Sequence, residues 1–178
     1  MKFWSRTSNS NLAFALLALA LVAGCASRQK KKDEEISTIR LHMEVNPQMV
    51  RRNRQVSILR AQPVLITVGE SYVMHEGYLN RAEIIEANGV HNVRLQFDSS
   101  GSRLLETETS VNLGRRLAVF AQFPEGRWLA APVVSSRITN GVFTFTPDAN
   151  LEETRRLVDG LNLVIEKRRK QDKFILTD

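Results

Sequence analysis

The sequence predicts an α+β fold in which several antiparallel strands are combined with about two helices. Short segments alternate apolar and polar residues, and turn residues such as Asn88 and Gly89 separate them, which is typical of hairpins. Two longer segments begin at capping residues, Asp98 and Asn150, and carry the apolar spacing of amphipathic helices. With 178 residues, of which 43% are hydrophobic and 25% charged, the chain has room for one ordinary domain.

The N-terminal segment has the pattern of a secretion signal. Lys2 and Arg6 precede an apolar run, residues 12–22, that is too short for an ordinary membrane-spanning helix. Residues 21–25 read Leu-Val-Ala-Gly-Cys and resemble the lipobox of bacterial lipoproteins, in which the cysteine is lipidated and becomes the first mature residue. We therefore expect a lipoprotein signal peptide over residues 1–24 and a lipid on Cys25. A cleaved soluble secretion signal with a chance cysteine and an uncleaved anchor are the alternatives.

Residues 25–35 are predicted to be a polar tether between the lipidated cysteine and the folded domain. They contain three consecutive lysines, residues 30–32, followed by three acidic residues. Ala26 and Ser27 stand where an aspartate would, by resemblance to enterobacterial lipoproteins, favour retention in the inner membrane. We therefore expect a lipid-anchored protein of the bacterial envelope, on the periplasmic face and at the outer membrane rather than the inner one.

Three strands are predicted at the start of the domain. Residues 36–45 alternate, with Ile39, Leu41 and Met43 among the apolar positions, and residues 56–60 and 64–68 are two further strand candidates. The arginine-rich cluster at 51–54 is interpreted as a charged edge that opposes strand aggregation, with a phosphate-binding site as the alternative. Residues 69–80 lack a clear period and are predicted to be a loop with about one helical turn.

The middle of the chain predicts a hairpin followed by a helix. Residues 82–87 and 90–97 form the strands of the hairpin, and His91 is interpreted as a surface residue rather than a catalytic base. The helix is predicted to run from capping residues at 98–101 to about residue 113, and Gly114 is its stop. Its predicted buried positions are Leu104, Leu105 and Val111.

A second hairpin, residues 114–134, is the strongest turn signal in the chain. Pro124 presets φ and Gly126 accepts unusual backbone angles, so the Pro-Glu-Gly sequence between two apolar runs predicts a tight connection. After it, residues 138–146 predict another turn and an alternating strand. The last helix is predicted to begin at Asn150, with Glu153 completing a capping box.

The last helix carries one broad apolar stripe that we interpret as core. Its predicted positions are Leu151, Leu157, Val158, Leu161, Val164 and Ile165. The single α+β domain is accordingly placed at residues 36–170, and residues 171–178 are expected to be a frayed tail.

A series of short motifs follows a fixed order in the second half of the chain. They are Asn-Leu-Gly at 112–114, Leu-Ala-Val at 117–119, Gly126, Ala-Ala-Pro-Val-Val at 130–134, Ile-Thr-Asn-Gly at 138–141 and Asn-Leu-Glu-Glu-Thr at 150–154. In this order they resemble the head subdomain of the first periplasmic domain of the SecD/SecF protein-export family. Upstream, Gly101 and Thr109 fit that family's glycine-led helix and mid-helix threonine. The likeness is clearest over residues 82–163.

The resemblance implies a fold and a kind of partner. It implies an antiparallel sheet with about two helices packed on one face, and contact with translocating polypeptide. No run after residue 25 is long and apolar enough to span a bilayer, so the resemblance does not imply the proton-driven motor of that family.

The leading functional prediction is a non-enzymatic, lipid-anchored binding or accessory protein linked to protein export. Trp128 is the candidate aromatic anchor if it is exposed, and Gly126, Ala131 and Pro132 beside it are the other candidate binding residues. The alternative for Trp128 is packing under the last helix. Candidate partners are the membrane through Cys25, an unfolded polypeptide, the Sec translocon and another envelope protein.

Other function classes lack their signatures in the sequence. There is no nucleophile elbow, phosphate loop or metal-ligand spacing, so no catalytic residue, metal or cofactor is predicted. The net charge of +6 is spread along the chain, and the predicted export argues against nucleic acid as a partner. The alternative function is a structural lipoprotein of an envelope complex that binds peptidoglycan or a partner protein.

Overall fold

The structure is a computed structural model that describes residues 36–87 and 89–175. The predicted signal peptide, Cys25 and the tether lie outside these residues, as do Asn88 and residues 176–178. None of the helices in the described ranges is long and apolar enough to cross a membrane.

Nine strands and two helices make up the described part of the chain. The strands are β1 Thr38–Met43, β2 Asn53–Ile58, β3 Val64–Gly69, β4 Met74–His75, β5 Leu79–Ala87, β6 Val90–Phe97, β7 Leu117–Gln122, β8 Gly126–Ala130 and β9 Val142–Phe145. The helices are α1 Ser99–Val111 and α2 Leu151–Ile175, and a short 3-10 turn, Glu76–Tyr78, precedes β5.

The fold is α+β with antiparallel strands, which confirms the predicted class. The strands form three sheets: a four-stranded sheet in the order β4-β1-β7-β8, a three-stranded sheet in the order β5-β6-β9, and a two-stranded ribbon of β2 and β3. The prediction of one sheet was therefore too simple. Strand periodicity identifies individual strands, but it does not identify partners that are far apart in sequence, such as β1 and β7.

The predicted turns and caps are present. Gly89 and Gly114 have positive φ angles of 73° and 79°, which only glycine adopts without strain. The Asp98 side chain accepts a hydrogen bond from the Gly101 N–H at 2.8 Å and caps α1. At the start of α2, Glu153 N–H donates to Asn150 Oδ1 at 2.8 Å and Asn150 N–H donates to Glu153 Oε2 at 2.9 Å. This reciprocal pair is the predicted capping box.

One main core lies between the two larger sheets and the helices. It contains the inward residues Ile39, Leu41 and Met43 of β1, together with Leu105 of α1 and the α2 stripe Leu157, Val158, Leu161 and Ile165. Helix α2 is continuous through the buried Gly160. The apolar residues on the inward face of each element therefore meet in this main core, as the periodicity predicted.

Several helix positions differ from the prediction. Val111 is 71% exposed and Leu151 is 41% exposed, because both lie at helix ends beyond the last turn that contacts the core. The buried positions of α1 are Gly101, Leu105 and Thr109, at four-residue spacing. Helix α2 continues to Ile175, so residues 171–175 of the predicted tail are helical.

The loop predicted at residues 69–80 contains more structure than expected. Besides the 3-10 turn it holds β4, whose Met74 is 1% exposed and pairs with Leu41 of β1. A two-residue strand has no periodicity from which it can be recognised.

A second, smaller core lies under the β2–β3 ribbon. Val56, Ile58, Ile66 and Val68 of the ribbon are buried against Ala118 of β7. A charged network fixes the end of the ribbon: Arg60 N–H donates to Asp148 Oδ2 at 2.8 Å, and Arg127 of β8 pairs with Glu153 of α2 at 3.0 Å. The ribbon thus covers part of the outer face of the four-stranded sheet.

Candidate functional site

The outer face of the four-stranded sheet carries a row of large side chains. The strand register places Arg40 of β1 opposite Phe120 of β7, and Phe120 opposite Trp128 of β8. On the same face, one neighbouring row consists of Thr38, Gln122 and Gly126 and is not covered by the ribbon. The other neighbouring row, with His42 and Ala118, is buried by the ribbon. We call the set Arg40, His42, Arg54, Tyr72, Phe120 and Trp128 the Trp128 face.

Trp128 is half-buried at the margin of the ribbon. Its ring lies edge-on to Phe120, with 5.3 Å between ring centroids, and edge-on to His42 at 5.2 Å. The Arg54 guanidinium lies 5.3 Å from the centroid of the Trp128 ring, at cation–π distance. Trp128 packs against the second core, not under the last helix, so that alternative is replaced by packing under the β2–β3 ribbon.

Gly126 gives Phe120 its position. A Cβ atom on Gly126 would lie 2.6 Å from Cζ of Phe120, so the ring occupies the space that any other residue would fill. Both residues face the open side of the sheet, where Gly126 is exposed and Phe120 is half-buried. The sequence indicates Gly126 through its role in the turn, whereas the structure gives it this second role.

His42 is buried at the inner end of the Trp128 face. Its Nδ1–H donates to the Gly69 carbonyl at 3.0 Å, and only 2% of the residue is exposed. Burial lowers the pKa of His42, and the positive charges of Arg54 and Arg40 lower it further, while the hydrogen bond to Gly69 raises it. The imidazole is therefore a neutral packing group beneath Trp128.

Tyr72 and Arg40 extend the face toward β4. The Arg40 guanidinium lies 5.4 Å from the centroid of the Tyr72 ring, and Tyr72 is 46% exposed. Neither residue was selected from the sequence, although the β1 alternation already placed Arg40 on the side opposite Ile39. Arg54 belongs to the cluster interpreted as a charged edge, and it is indeed exposed on the edge strand β2.

The four predicted binding residues divide between two surfaces. Gly126 and Trp128 belong to the outer face of the four-stranded sheet. Ala131 packs against the second core, and its carbonyl accepts a hydrogen bond from Arg116 Nη1 at 2.9 Å. Pro132 lies elsewhere, in the wall of a separate groove.

We call this second surface the Pro132 groove. It is a cavity of about 160 Å³, and its lining includes Pro132, Val133, Ile138, the two serines at 135 and 136, and Phe143 and Thr144 of β9. The buried Thr109 of α1 holds one wall, since its Oγ1 accepts a hydrogen bond from the Ile138 N–H at 3.0 Å. This contact explains why a threonine suits the middle of α1.

The histidines of the chain are occupied by backbone contacts. His75 Nδ1 accepts from the Gly77 N–H at 3.1 Å, and His91 Nε2 lies 2.9 Å from the Ala149 carbonyl, to which it donates. His91, interpreted as a surface residue, is half-buried and joins β6 to the segment before α2. Within residues 36–87 and 89–175, no three His, Cys, Asp or Glu side chains are grouped as a metal site would require.

Comparison with known proteins gives one family and one fold. The family model for the SecDF P1 head subdomain matches residues 52–162 of this chain. Among curated proteins, none matches.

Two solved structures share the fold. A crystal structure of SecDF in the super-membrane-facing form aligns with a TM-score of 0.53 and 18% identity, covering 70% of this chain and 18% of that chain. A structure of a membrane component SecDF that enhances protein export aligns with a TM-score of 0.51 and 18% identity, covering 89% of this chain and 70% of that chain. This chain therefore spans less than a fifth of the length of the first.

Proposed function

Because the chain belongs to the SecDF P1 head subdomain family, we propose that it binds unfolded polypeptide at the bacterial cell envelope and assists protein export. It does so as a binding protein and catalyses no reaction. One of the structures that share its fold is of a SecDF that enhances protein export, which supports a role in the same process.

The observation that carries this proposal is the Trp128 face. Trp128 and Phe120 are half-buried, so each is held rigidly by the sheet while part of its ring reaches solvent. Large aromatic side chains fixed in this way are the usual anchors of protein interfaces, because they offer apolar area at little cost in conformational entropy. A passing polypeptide can place an apolar side chain against these rings without any rearrangement of the sheet.

The charge of the Trp128 face adds a preference to this binding. Arg40 and Arg54 lie over Tyr72 and Trp128, and both guanidinium groups belong to exposed residues. Arginine stacked on an aromatic ring keeps its donors available in the ring plane for carboxylates and backbone carbonyls. The face therefore favours segments that combine apolar residues with acidic ones over segments rich in lysine.

A lipid on Cys25 would hold this surface at the membrane. In this proposal the chain is anchored through Cys25 at the outer membrane, and the tether of residues 25–35 sets the domain in the periplasm. A Cys25→Ser variant should then appear in the soluble periplasmic fraction. Unchanged association of that variant with membranes would contradict lipid anchoring and favour an uncleaved N-terminal anchor.

The fluorescence of Trp128 tests the binding proposal. Of the two tryptophans in the sequence, Trp4 belongs to the expected signal peptide, so the fluorescence of the processed protein reports on Trp128 alone, and a Trp4→Phe variant gives the same readout for an uncleaved chain. We expect a destabilised, permanently unfolded variant of a secreted protein to protect Trp128 from quenching by acrylamide, and the folded wild-type form of that secreted protein to give no protection. A Trp128→Ala variant should bind the unfolded chain at least about tenfold more weakly, the loss typical of an aromatic anchor.

Two results would contradict polypeptide binding at this face. One is quenching of Trp128 that does not change with unfolded polypeptide. The other is equal affinity of the wild-type and Trp128→Ala proteins. Binding to purified peptidoglycan without binding to unfolded chains would favour the structural lipoprotein instead.

A further inference from the structure

The outer edge of β9 presents unpaired backbone groups to solvent. Strand β9 pairs only with β6, and the Phe97 N–H donates to the Gly141 carbonyl at 2.9 Å. Because hydrogen-bonded and non-bonded pairs alternate in an antiparallel ladder, Phe143 and Phe145 direct their backbone groups to β6 and Thr144 directs its own outward. In the part of the chain that the structure describes, no group accepts from the Thr144 N–H or donates to its carbonyl.

Edges on β5, β8, β4 and β2 are protected, each by a different device. The Asn162 side chain pairs with both backbone groups of Ala82 on β5, at 3.1 and 2.9 Å. The Asp148 N–H donates to the Leu129 carbonyl on β8, and β4 is only two residues long. Strand β2 carries the exposed Arg54.

Covering groups, short length and charge are the means by which proteins block pairing with other chains. Strand β9 has such protection only at its first residue, where the Asn140 side chain accepts a hydrogen bond from the Val142 N–H at 3.1 Å. The strand, Val-Phe-Thr-Phe, carries no charge, and within the described ranges the Thr144 groups stay uncovered.

The Pro132 groove runs beside this same edge. Phe143 and Thr144 of β9 line its cavity together with Val133, which is 49% exposed. A small aliphatic or β-branched side chain fits a cavity of about 160 Å³ whose lining combines these residues with the hydroxyls of Ser135 and Ser136. Free backbone groups and a side-chain pocket thus lie together, which is the combination used in recognition by strand addition.

We infer that an extended polypeptide segment adds to β9 as a further strand, with one aliphatic side chain seated in the Pro132 groove. This inference rests on the proposed function and gives it a second, backbone-directed contact. The occupant is an unfolded segment rather than a second copy of the domain, because Thr144 is the one residue of the described four-residue strand β9 with both outward groups free, which is too short a ladder to join two folded sheets.

Binding by strand addition is suited to a polypeptide that is being exported. Backbone hydrogen bonds are the same for every sequence, so strand addition at Thr144 tolerates many cargoes, while the groove selects only for an apolar residue at one position. Few bonds form, because only one residue in β9 has both groups free, and the segment is released readily.

The test uses a short peptide in which valine alternates with threonine, together with two N-methylated versions. Methylation of alternate backbone nitrogens removes the donors along one edge of the extended peptide and leaves the other edge intact. With the wild-type full-length protein, we expect methylation of one edge to weaken binding about tenfold and methylation of the other edge to have little effect. Equal affinity of both methylated peptides would overturn the inference.

Matched variants locate the contact. Thr144→Pro removes the outward N–H, a change that an edge strand tolerates, and should weaken binding of the unmethylated peptide about tenfold. Thr144→Val keeps the N–H and the shape and should bind as the wild type does. Wild-type affinity of a folded Thr144→Pro variant for the peptide would overturn the inference. It would also be overturned if the wild-type protein bound no peptide but formed dimers that the Thr144→Pro substitution abolished.

The two proposals fail separately in these experiments. If unfolded polypeptide still protects Trp128 while the methylated peptides bind equally, polypeptide binding stands and strand addition at β9 is wrong. If neither effect is seen, the proposed function itself is wrong.

Discussion

Gly126 shows how much a single missing side chain determines in this molecule. The ring tip of Phe120 lies where a Cβ on Gly126 would be, and the centroid of that ring is 5.3 Å from that of Trp128. The residue on β8 thereby sets the position of the aromatic pair. The sequence identified Gly126 from its turn alone, because a contact across two strands depends on a register that local sequence does not specify.

A Gly126→Ala substitution should displace the Phe120 ring. We expect a loss of about 1–2 kcal/mol in the free energy of unfolding, since a methyl group is forced into occupied space. In a Phe120→Leu background the ring tip is gone, so the same substitution should cost less. Urea unfolding of the two single variants and the double variant measures this coupling, and strictly additive losses would contradict the contact.

Glu153 joins three elements through its carboxylate. Arg127 donates from Nη1 to its Oε1 at 3.0 Å, and the Asn150 N–H donates to its Oε2 at 2.9 Å. The hydrogen bond from Arg127 lowers the pKa of Glu153 to about 2, with further contributions from Asn150 and from the charges of Arg127 and Arg60. The capping box was predictable from spacing, whereas the arginines are distant in sequence and were not.

The stability contributed by the Glu153 charge should depend on pH in a defined direction. Because the pKa is lower in the folded state, the contribution is complete above about pH 5 and is lost as the pH falls toward 2. Glu153→Gln keeps the capping geometry and should lower the free energy of unfolding by about 1–2 kcal/mol at pH 7. The difference from the wild type should shrink between pH 5 and pH 2, as measured by urea unfolding.

Glu152 provides the matched control for this experiment. It lies in the same first turn of α2, but its side chain is 84% exposed and pairs only with Arg156. Glu152→Gln should change stability little at any pH in this range. An equal effect of the two substitutions on the free energy of unfolding would mean that the charge acts through the helix terminus and not through the contact with Arg127.

At the scale of elements, α2 does more than cover the core. Its Asn162 side chain meets Ala82 of β5 with a donor and an acceptor, as a neighbouring strand would. The helix therefore completes the edge of the three-stranded sheet. The apolar stripe of α2 was predicted correctly at Leu157, Val158, Leu161 and Ile165, but a polar residue beside that stripe has no periodic signal.

Removal of the Asn162 amide should destabilise the edge of the three-stranded sheet. Asn162→Ala removes the partner of both backbone groups of the buried Ala82, and we expect a loss of about 1–3 kcal/mol in the free energy of unfolding. Glu166→Ala, an exposed position one turn later, is the control and should have little effect. Amide hydrogen exchange should also accelerate at Ala82 in the first variant only. Unchanged exchange there would contradict the pairing.

The hairpins and helices could be predicted, but the surfaces they create could not. β7–β8 and β5–β6 carry strong turn residues and clear alternation, so local sequence specifies them. The position of the β2–β3 ribbon over Ala118 depends on long-range packing, and the ribbon contributes to the burial of Trp128. For the same reason, the sequence names Pro132 as a candidate binding residue of the central hairpin beside Trp128 but does not reveal its separation from the Trp128 face.

At the scale of the whole molecule, the two surfaces belong to different sheets of one domain. The Trp128 face lies on the four-stranded sheet, and the free edge at Thr144 belongs to the three-stranded sheet. A head subdomain of the SecDF family thus presents both an aromatic, arginine-lined face and an open strand edge. Together they support the proposed binding role, in which shape and backbone contacts matter more than a particular cargo sequence.

The most direct test of polypeptide binding is photo-crosslinking in living cells. A photoreactive residue at Gln122, which is exposed and opposite Gly126, samples the Trp128 face, and one at the exposed Val111 of α1 serves as the control. We predict that the Gln122 position forms adducts with secretory precursors, that the Val111 position does not, and that these adducts disappear when protein synthesis stops. Equal adducts at both positions, or adducts that persist unchanged after synthesis stops, would contradict binding to polypeptides in transit.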